Sequence, residues 1–418
     1  MLDIKFIKEN KEAAKQNAID RNIKVDIDEL LRLYEQKKDL EVKIEVLRAE
    51  LNNLSKNPPQ PETIEKAKKV KEETKELEAK VEEIEPRYID LLMQVPNMTH
   101  PDSPKGKDDT ENKEIYRSKE PNKIANPKTH EQMGKEYDLY DFERGAKVSG
   151  AKFYFVKNEA ALLEQALINY AFDFLVKEDF TPVVTPDLAK DEILEGIGFN
   201  PRGPETQIYS IENSDLSLVG TAEITMGGYH SNEIIEEKDL PKKYVALSHC
   251  FRTEAGAYGR HSAGLYRVHQ FSKVEMFIYC LPEESNEMHE YLRSLEEKLY
   301  NGLEIPFRTV DICTGDLGGP AYRKYDLEAW MWSRGDAGDW GEITSTSNCT
   351  DYQARRLKIR VKRENGKTEF LHMLNGTAVT TSRTPIAVLE NHQQEDGSIA
   401  IPEALQKYMG GIKKIIRK

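Results

Sequence analysis

Two heptad runs joined by a proline-rich link constrain this chain more than any other feature. Leu30, Leu33, Lys37, Leu40, Ile44, Leu47, Leu51 and Leu54 follow in unbroken steps of three and four, with Lys37 the only polar member. Asn57-Pro58-Pro59-Gln60-Pro61 then stops the helix, because proline lacks an amide donor and clashes with the preceding turn. A second run keeps the same steps: Ala67, Val70, Thr74, Leu77, Val81, Ile84, Tyr88, Leu91 and Val95. Such spacing makes an apolar seam that needs a second seam to cover it. The link allows only an immediate reversal, so the helices are predicted to pair with each other as an antiparallel hairpin about 40 Å long. A coil that dimerises between chains is the other use of such heptads. Pro86 falls between two seam positions, which predicts a kink there, or an end and a restart. Lys66, Lys68, Lys69 and Lys71 gather toward the tip, with Lys56 across the turn and Glu62, Glu65, Glu72 and Glu73 interleaved. A phosphate-binding tip and a solvated helix face both fit that mixture.

The remainder of the 418 residues is long enough for one large domain, and 38% hydrophobic residues supply it with a core. No run approaches the roughly 18–20 apolar residues of a membrane span, and MLDIKFIKEN lacks the apolar centre of a secretory signal. A cytoplasmic protein with no membrane partner is expected. Cys250, Cys280, Cys313 and Cys349 lie far apart and form no CxxC, which suits reduced thiols and predicts no zinc. A net charge of −13 argues against a nucleic-acid partner only for the chain as a whole; local basic patches decide that question.

In chain order, a short helix is expected over Ile4–Ala18, and residues 96–150 read as a proline-rich connector with an exposed charged stretch at Lys105–Glu114. Short helical turns are expected at His130–Tyr140 and Phe142–Ala146, and a strand at Phe153–Val156. Glu159–Val176 is a predicted helix with Leu162, Leu163, Ala166, Leu167, Tyr170 and Phe174 on its apolar stripe. Phe180–Pro186 is extended and bracketed by prolines, as an edge or interface strand would be. Further on, a helix is predicted at 283–301, and strands at Phe307–Cys313, Tyr325–Met331 and Phe370–Leu374. Thr384 and Pro385 read as the N-cap and first residue of a helix through Asn391, with Arg383 just before it, where an anion is favoured.

The densest chemistry lies in FRTEAGAYGRHSAGLYRVHQFSKVE, Phe251 to Glu275. A strand over Tyr244–Arg252 and another from about Leu265 would flank a loop containing Gly256, Gly259 and Gly264. If the second strand is unbroken, Arg267, His269, Phe271, Lys273 and Glu275 share one face, and Val268, Val274, Met276 and Ile278 the other.

This stretch closely resembles motif 2 of class II aminoacyl-tRNA synthetases, and among them the seryl-tRNA synthetases, whose form is approximately FRxEAGAxGRDTxGLxRVHQFxKVE. EITSTSNCTDYQARR, Glu342 to Arg356, resembles the same family's EISSxSNCxDFQARR. FTPVVTP is similar to motif 1, found at a dimer interface; Thr221-Ala222-Glu223 to the family's TxE serine signature; and Arg383 to the arginine of motif 3. The ending PEALQKYMGG and the heptad arm extend the resemblance over essentially the whole chain.

The resemblance implies an α+β fold: a class II antiparallel sheet flanked by helices, preceded by an all-α antiparallel coiled-coil arm. It implies an N-terminal helical domain over 1–100 with a tRNA-binding arm at about 27–95, a connector over 101–150 and a catalytic domain over 151–418. The implied reaction is activation of L-serine by ATP, with Mg²⁺, followed by transfer to tRNA(Ser), with tRNA(Sec) an open second acceptor, by a homodimer. Arg252 and Arg383 are the implied catalytic residues. Thr221, Ala222, Glu223, Arg252, Glu275 and Thr377 are implied for serine. Arg252, Thr253, Glu254, Arg267, Phe271, Glu342, Ile343, Thr344, Ser345 and Arg383 are implied for ATP, and Glu342 with Ser345 for Mg²⁺. The family's Asp-Thr in the motif 2 loop is His261-Ser262 here, followed by Ala263, which leaves the tRNA-facing role of that loop open. Two readings compete with this one: a coiled-coil scaffold bearing a degenerate nucleotide domain, and a paralogue that loads a different acceptor. The presence of Arg252, Glu275, Glu342 and Arg383 disfavours the first, and the complete arm the second.

Overall fold

The computed structural model describes residues 1–56, 60–199, 207–255 and 264–417. Asn57, Pro58 and Pro59 of the link, and Gly256, Gly259, His261, Ser262 and Ala263 of the loop, lie outside the described residues. The chain divides into two units, Met1–Met98 and Thr99–Lys418.

Among the described residues the first unit is four helices: α1 (Ile4–Glu9), α2 (Lys11–Asp20), α3 (Ile27–Leu54) and α4 (Pro61–Gln94). The one helix expected over Ile4–Ala18 is two, because Asn10 leaves helical geometry at φ −118° and turns both its backbone and side-chain N–H groups back to the Phe6 carbonyl. Ion pairs join Glu29 to Arg87, Lys37 to Glu85, Arg48 to Glu78 and Glu50 to Lys66. Numbers rise along α3 as they fall along α4, so the two heptad runs pair within the chain. Leu30, Leu33 and Ile44 of one seam and Val70, Thr74, Tyr88 and Leu91 of the other are buried. Lys37 is accommodated in the seam because its ammonium reaches Glu85 at 2.6 Å and lies 5.3 Å from the Tyr88 ring centre. α4 runs through Pro86 with neither end nor restart. Proline removes one backbone bond there, while Tyr88, stacked 6.4 Å from Tyr34, ties the following turn to α3.

The second unit is built on an eight-stranded sheet: β1 (Lys113–Arg117), β2 (Thr181–Val184), β3 (Lys242–Phe251), β4 (Gln270–Cys280), β5 (Phe307–Asp311), β6 (Arg323–Met331), β7 (Asp339–Asn348) and β8 (His372–Thr380). Their spatial order is β1-β5-β6-β7-β8-β4-β3-β2, antiparallel throughout except that β2 runs parallel to β3. The principal helices are α5 (Asn158–Val176), α6 (Ala222–Gly228), α7 (Ser285–Gly302), α8 (Tyr352–Leu357) and α9 (Arg383–Asn391). Among the described residues no helix is long and apolar enough to cross a membrane.

Alternation along β4 sorts the core from the site. Val274, Met276 and Ile278 join Leu163 and Leu167 of α5, Leu292, Leu295 and Leu299 of α7, and Ile386 and Leu389 of α9. Each such side chain contributes about 1.5–3 kcal/mol by leaving water. The opposite face ends in Phe277 and Tyr279, packed with Ala222 and Met226 of α6 and Ala354 and Leu357 of α8. Between that second core and the start of the strand, Phe271, Lys273 and Glu275 remain for other work.

Several sequence expectations shift. The connector contributes β1, an exposed strand on the sheet edge, so Lys113 and Glu114 are not linker. The helix from His130 stops at Glu136, and Tyr140–Asp141 instead pairs with Phe155–Val156. Leu162 is 44% exposed, off the buried stripe of α5. The second strand of the motif 2 region begins at Gln270, not near Leu265, so Arg267 and His269 are not on it; Val268, expected opposite Phe271, clusters with Phe271 and Cys250. The strand expected to end at Leu374 runs on to Thr380, taking in Asn375 and Thr377. Arg383 is the first residue of α9, with Ser382 at the N-cap, two positions earlier than the Thr-Pro signal suggests.

Candidate active site

A cleft of about 500 Å³ opens on the sheet where β4, β7, β8 and the start of α9 converge. Two irregularities turn consecutive residues toward it. Between β6 and β7, Leu327 opposes Thr344 but Glu328 opposes Glu342, so Ile343 is an extra residue. Glu342, Ile343, Thr344 and Ser345 thereby all reach the cleft wall, which a regular strand would forbid. The register between β8 and β4 shifts likewise between Thr377 and Val379, bringing Thr377 and Thr380 to the same wall.

Arg252 follows the end of β3. Its Nε donates to the Gly220 carbonyl at 3.3 Å and its guanidinium lies 5.2 Å from the Phe271 ring centre, both side chains lining the cleft. Glu254 also lines it and sits in left-handed backbone geometry, φ 50°, uncommon for this residue type. Its carboxylate accepts from Arg267 at 3.2 Å. Arg383 donates to the Glu342 carboxylate at 3.1 Å and to its backbone carbonyl at 3.0 Å, and stacks 4.5 Å from the Tyr266 ring centre. Burial would raise the Glu342 carboxyl; Arg383 and then Lys324 overrule it and hold the group well below the usual carboxylate range.

Glu275 is buried directly behind the wall. It accepts from the Thr377 hydroxyl at 3.2 Å and from the Lys273 ammonium at 2.7 Å, and both of those partners line the cleft. Glu223 faces a neighbouring cavity of about 930 Å³ that shares Ser345 with the first. Gln353 and Asn375 donate to it at 2.8 and 3.0 Å, yet burial and then repulsion from Glu275 push Glu223 up to about 7. Thr221 caps α6 by accepting from the Glu223 amide at 3.1 Å, and Ala222 is fully buried beside it. The Thr253 amide donates to the Gln207 carbonyl at 3.1 Å, and Thr253 lines neither cavity.

Sequence reasoning assigned no role to Tyr266, Lys273, Val268, Thr380 or Ser382, all of which line the cleft. Lys273 was within reach, since the period of two starting at Phe271 selects it. Thr380 was not, because nothing in the local sequence announces a bulge in β8. Among the described residues no group of three or more His, Cys, Asp or Glu is placed to hold a metal ion. The Glu342 carboxylate and Ser345 hydroxyl are two hard oxygen donors on one wall, which suits a cation that completes its shell with water and phosphate oxygens.

Comparison with known proteins places these features in a family. Residues 1–99 match the seryl-tRNA synthetase N-terminal domain, and residues 207–392 match the tRNA synthetase class II core domain (G, H, P, S and T). The serine–tRNA ligase of Treponema denticola is 56% identical over 418 residues, covering 98% of this chain and 99% of its own length. That of Dictyoglomus thermophilum is 54% identical, covering 98% of each. The crystal structure of seryl-tRNA synthetase from Pyrococcus horikoshii complexed with ATP superposes with a TM-score of 0.92 at 40% identity, covering 100% of both chains.

Proposed function

The chain belongs to the seryl-tRNA synthetase family, ligases that join serine to tRNA, and from that premise we propose that it works in two steps at the cleft described above. In the first, a serine carboxylate oxygen attacks the α-phosphorus of ATP; the new O–P bond forms as the bond to pyrophosphate breaks, giving seryl-adenylate. In the second, a hydroxyl of the tRNA 3′-terminal ribose attacks the serine carbonyl and AMP departs.

The observation that carries this reading is the convergence of Arg252, Glu254, Phe271, Glu342, Ser345, Thr377 and Arg383 on one wall. No enzyme nucleophile is required, because the attacking carboxylate is already ionised. The protein's task is to align two anions and to meet the charge that spreads over the phosphates. Arg252 holds the α-phosphate and the serine carboxylate, its planar fork suited to both. Glu254 meets the adenine end and Phe271 stacks on the base, while Thr253, which lines neither cavity, would act only through the backbone that carries Glu254. Arg267 and Arg383 hold the β- and γ-phosphates, while the Ile343 and Thr344 backbone forms the floor. Mg²⁺, held by Glu342 and Ser345, supplies charge neutralisation at the phosphates when bound.

Serine is selected through its hydroxyl by Glu275 and Thr377, with Glu223 taking the ammonium and Thr221 and Ala222 shaping the turn beneath it. The hairpin over 27–95 reads tRNA(Ser) by shape and backbone, with tRNA(Sec) a second acceptor to be tried in the same assay. The catalytic domain takes in residues 99–418, since the stretch read as a connector supplies the edge strand β1 of its sheet. The exposed edge strand β2, with Val184 76% exposed, suits pairing with a second copy, and the four buried thiols suit a reducing cytoplasm.

A site built around a hydroxyl rejects the analogue lacking it by about 10⁴-fold, since buried polar groups go unpaired. Serine should therefore drive ATP–pyrophosphate exchange and alanine should be slower by about that factor. Comparable exchange with both would overturn the assignment of Glu275 and Thr377.

A further inference from the structure

The turn between β6 and β7 carries a cation that the reading above leaves unused. Arg334 lies with its guanidinium carbon 4.9 Å from the Tyr266 ring centre, the same ring on which Arg383 stacks at 4.5 Å. Tyr266 lines the cleft and donates its hydroxyl to the Glu342 carbonyl at 3.2 Å. Arg267 and Arg383 each have a carboxylate partner, Glu254 and Glu342. Among the described residues no carboxylate pairs with Arg334, and its Nε is buried with no hydrogen-bond partner. Glu328, an acidic side chain of β6, is bonded to Arg308 at 2.6 Å.

Residue 341 leaves room for this side chain. A Cβ on Gly341 would meet Arg334 Cδ at 2.6 Å and Nε at 3.1 Å, so glycine there seats the arginine stem against β7. Two guanidiniums gathered on one tyrosine repel each other, and the carboxylate that Arg334 feels, Glu328, is already bonded to Arg308. A multiply charged anion bound beside the pair would relieve that repulsion.

We propose that Arg334 is a third guanidinium for the terminal phosphates of ATP, reaching them over Tyr266 alongside Arg267 and Arg383. The proposal rests on the reading of the cleft as the ATP site. It accounts together for the glycine at 341, the stacking on Tyr266 and the absence of a carboxylate partner. Arg334 is not itself a lining residue but stands on Tyr266, which is, so on this reading it would meet only the phosphates that leave as pyrophosphate and would distinguish ATP from products that retain AMP.

Calorimetric titration of the full chain without serine tests this, using ATP, AMP and a sulfamoyl mimic of seryl-adenylate. Arg334→Gln should weaken ATP by about tenfold and leave AMP and the mimic within about twofold. Arg334→Lys should recover part of the loss. Gly341→Ala should reproduce the loss with the arginine still present, because the added methyl displaces its stem; it also serves if Arg334→Gln does not fold. Unchanged ATP affinity in both variants would overturn the proposal. So would equal weakening of all three ligands, which would make Arg334 a prop for Tyr266. A wild-type chain that binds no ATP would instead overturn the reading of the cleft itself.

Discussion

Two glutamates show how surroundings divide the work between identical side chains. Glu342 is held ionised by Arg383 and Lys324 despite burial, and Glu223 is pushed up to about 7 by burial and by Glu275. If Glu223 receives the serine ammonium, it binds only when charged. Below pH 7 the free protein holds it increasingly neutral, and serine affinity should fall by up to about tenfold per pH unit, while above pH 8 it should level off. Calorimetric titration of serine between pH 5.5 and 8.5 checks this, and Glu223→Gln should be weak and flat across the range. A wild-type profile that is equally flat would remove Glu223 from the amino-group site. At this scale the sequence was most informative where residue type itself carries the chemistry: Arg252, Glu254, Phe271, Glu342 and Arg383, singled out by their motifs, all line one cleft. It was least informative about depth. Glu275 lies behind Thr377 and Lys273: the spacing of two along β4 puts Lys273 beside it, but its contact with Thr377 is set by the pairing of β4 with β8, which no local pattern announces.

Among elements, the hairpin was the most legible, because a period of three and four over two long helices has one inexpensive solution. Its ladder of opposite charges, from Glu29–Arg87 to Glu50–Lys66, then fixes the alignment. Pro86 and Lys37 look like errors in the sequence, and the fold absorbs both locally. The edges of the sheet were the least legible. β1 comes from a stretch too charged to announce itself, and the parallel pairing of β2 depends on β3, about sixty residues away. The tip lysines, with Lys66 engaged by Glu50 and Lys69 by Glu65, remain exposed at the far end of the arm. Removing residues 40–81 and closing the gap with a short glycine-serine link keeps the Lys37–Glu85 and Glu29–Arg87 pairs at the base. That variant should retain serine-dependent pyrophosphate exchange and lose tRNA charging. Charging at the full-length rate would mean that the arm serves another purpose.

The whole molecule joins a charged helical hairpin to a sheet whose one face is half core and half site. Phe277 and Tyr279 anchor β4 with the same alternation that presents Phe271 and Lys273 to the cleft. The net charge of −13, which taken alone argues against nucleic acid, says little about a molecule whose basic side chains gather locally, with Arg252 and Arg383 in the cleft and Lys66, Lys68, Lys69 and Lys71 near the arm tip. The central claim is that one cleft selects serine and that the chain delivers it to tRNA. Aminoacylation of total tRNA by the full-length chain, tried with each of the twenty amino acids, tests it most directly. Serine alone should be esterified, and only to acceptors of the serine-accepting class; charging with a different amino acid, or adenylate formation from serine without any transfer to tRNA, would contradict the account.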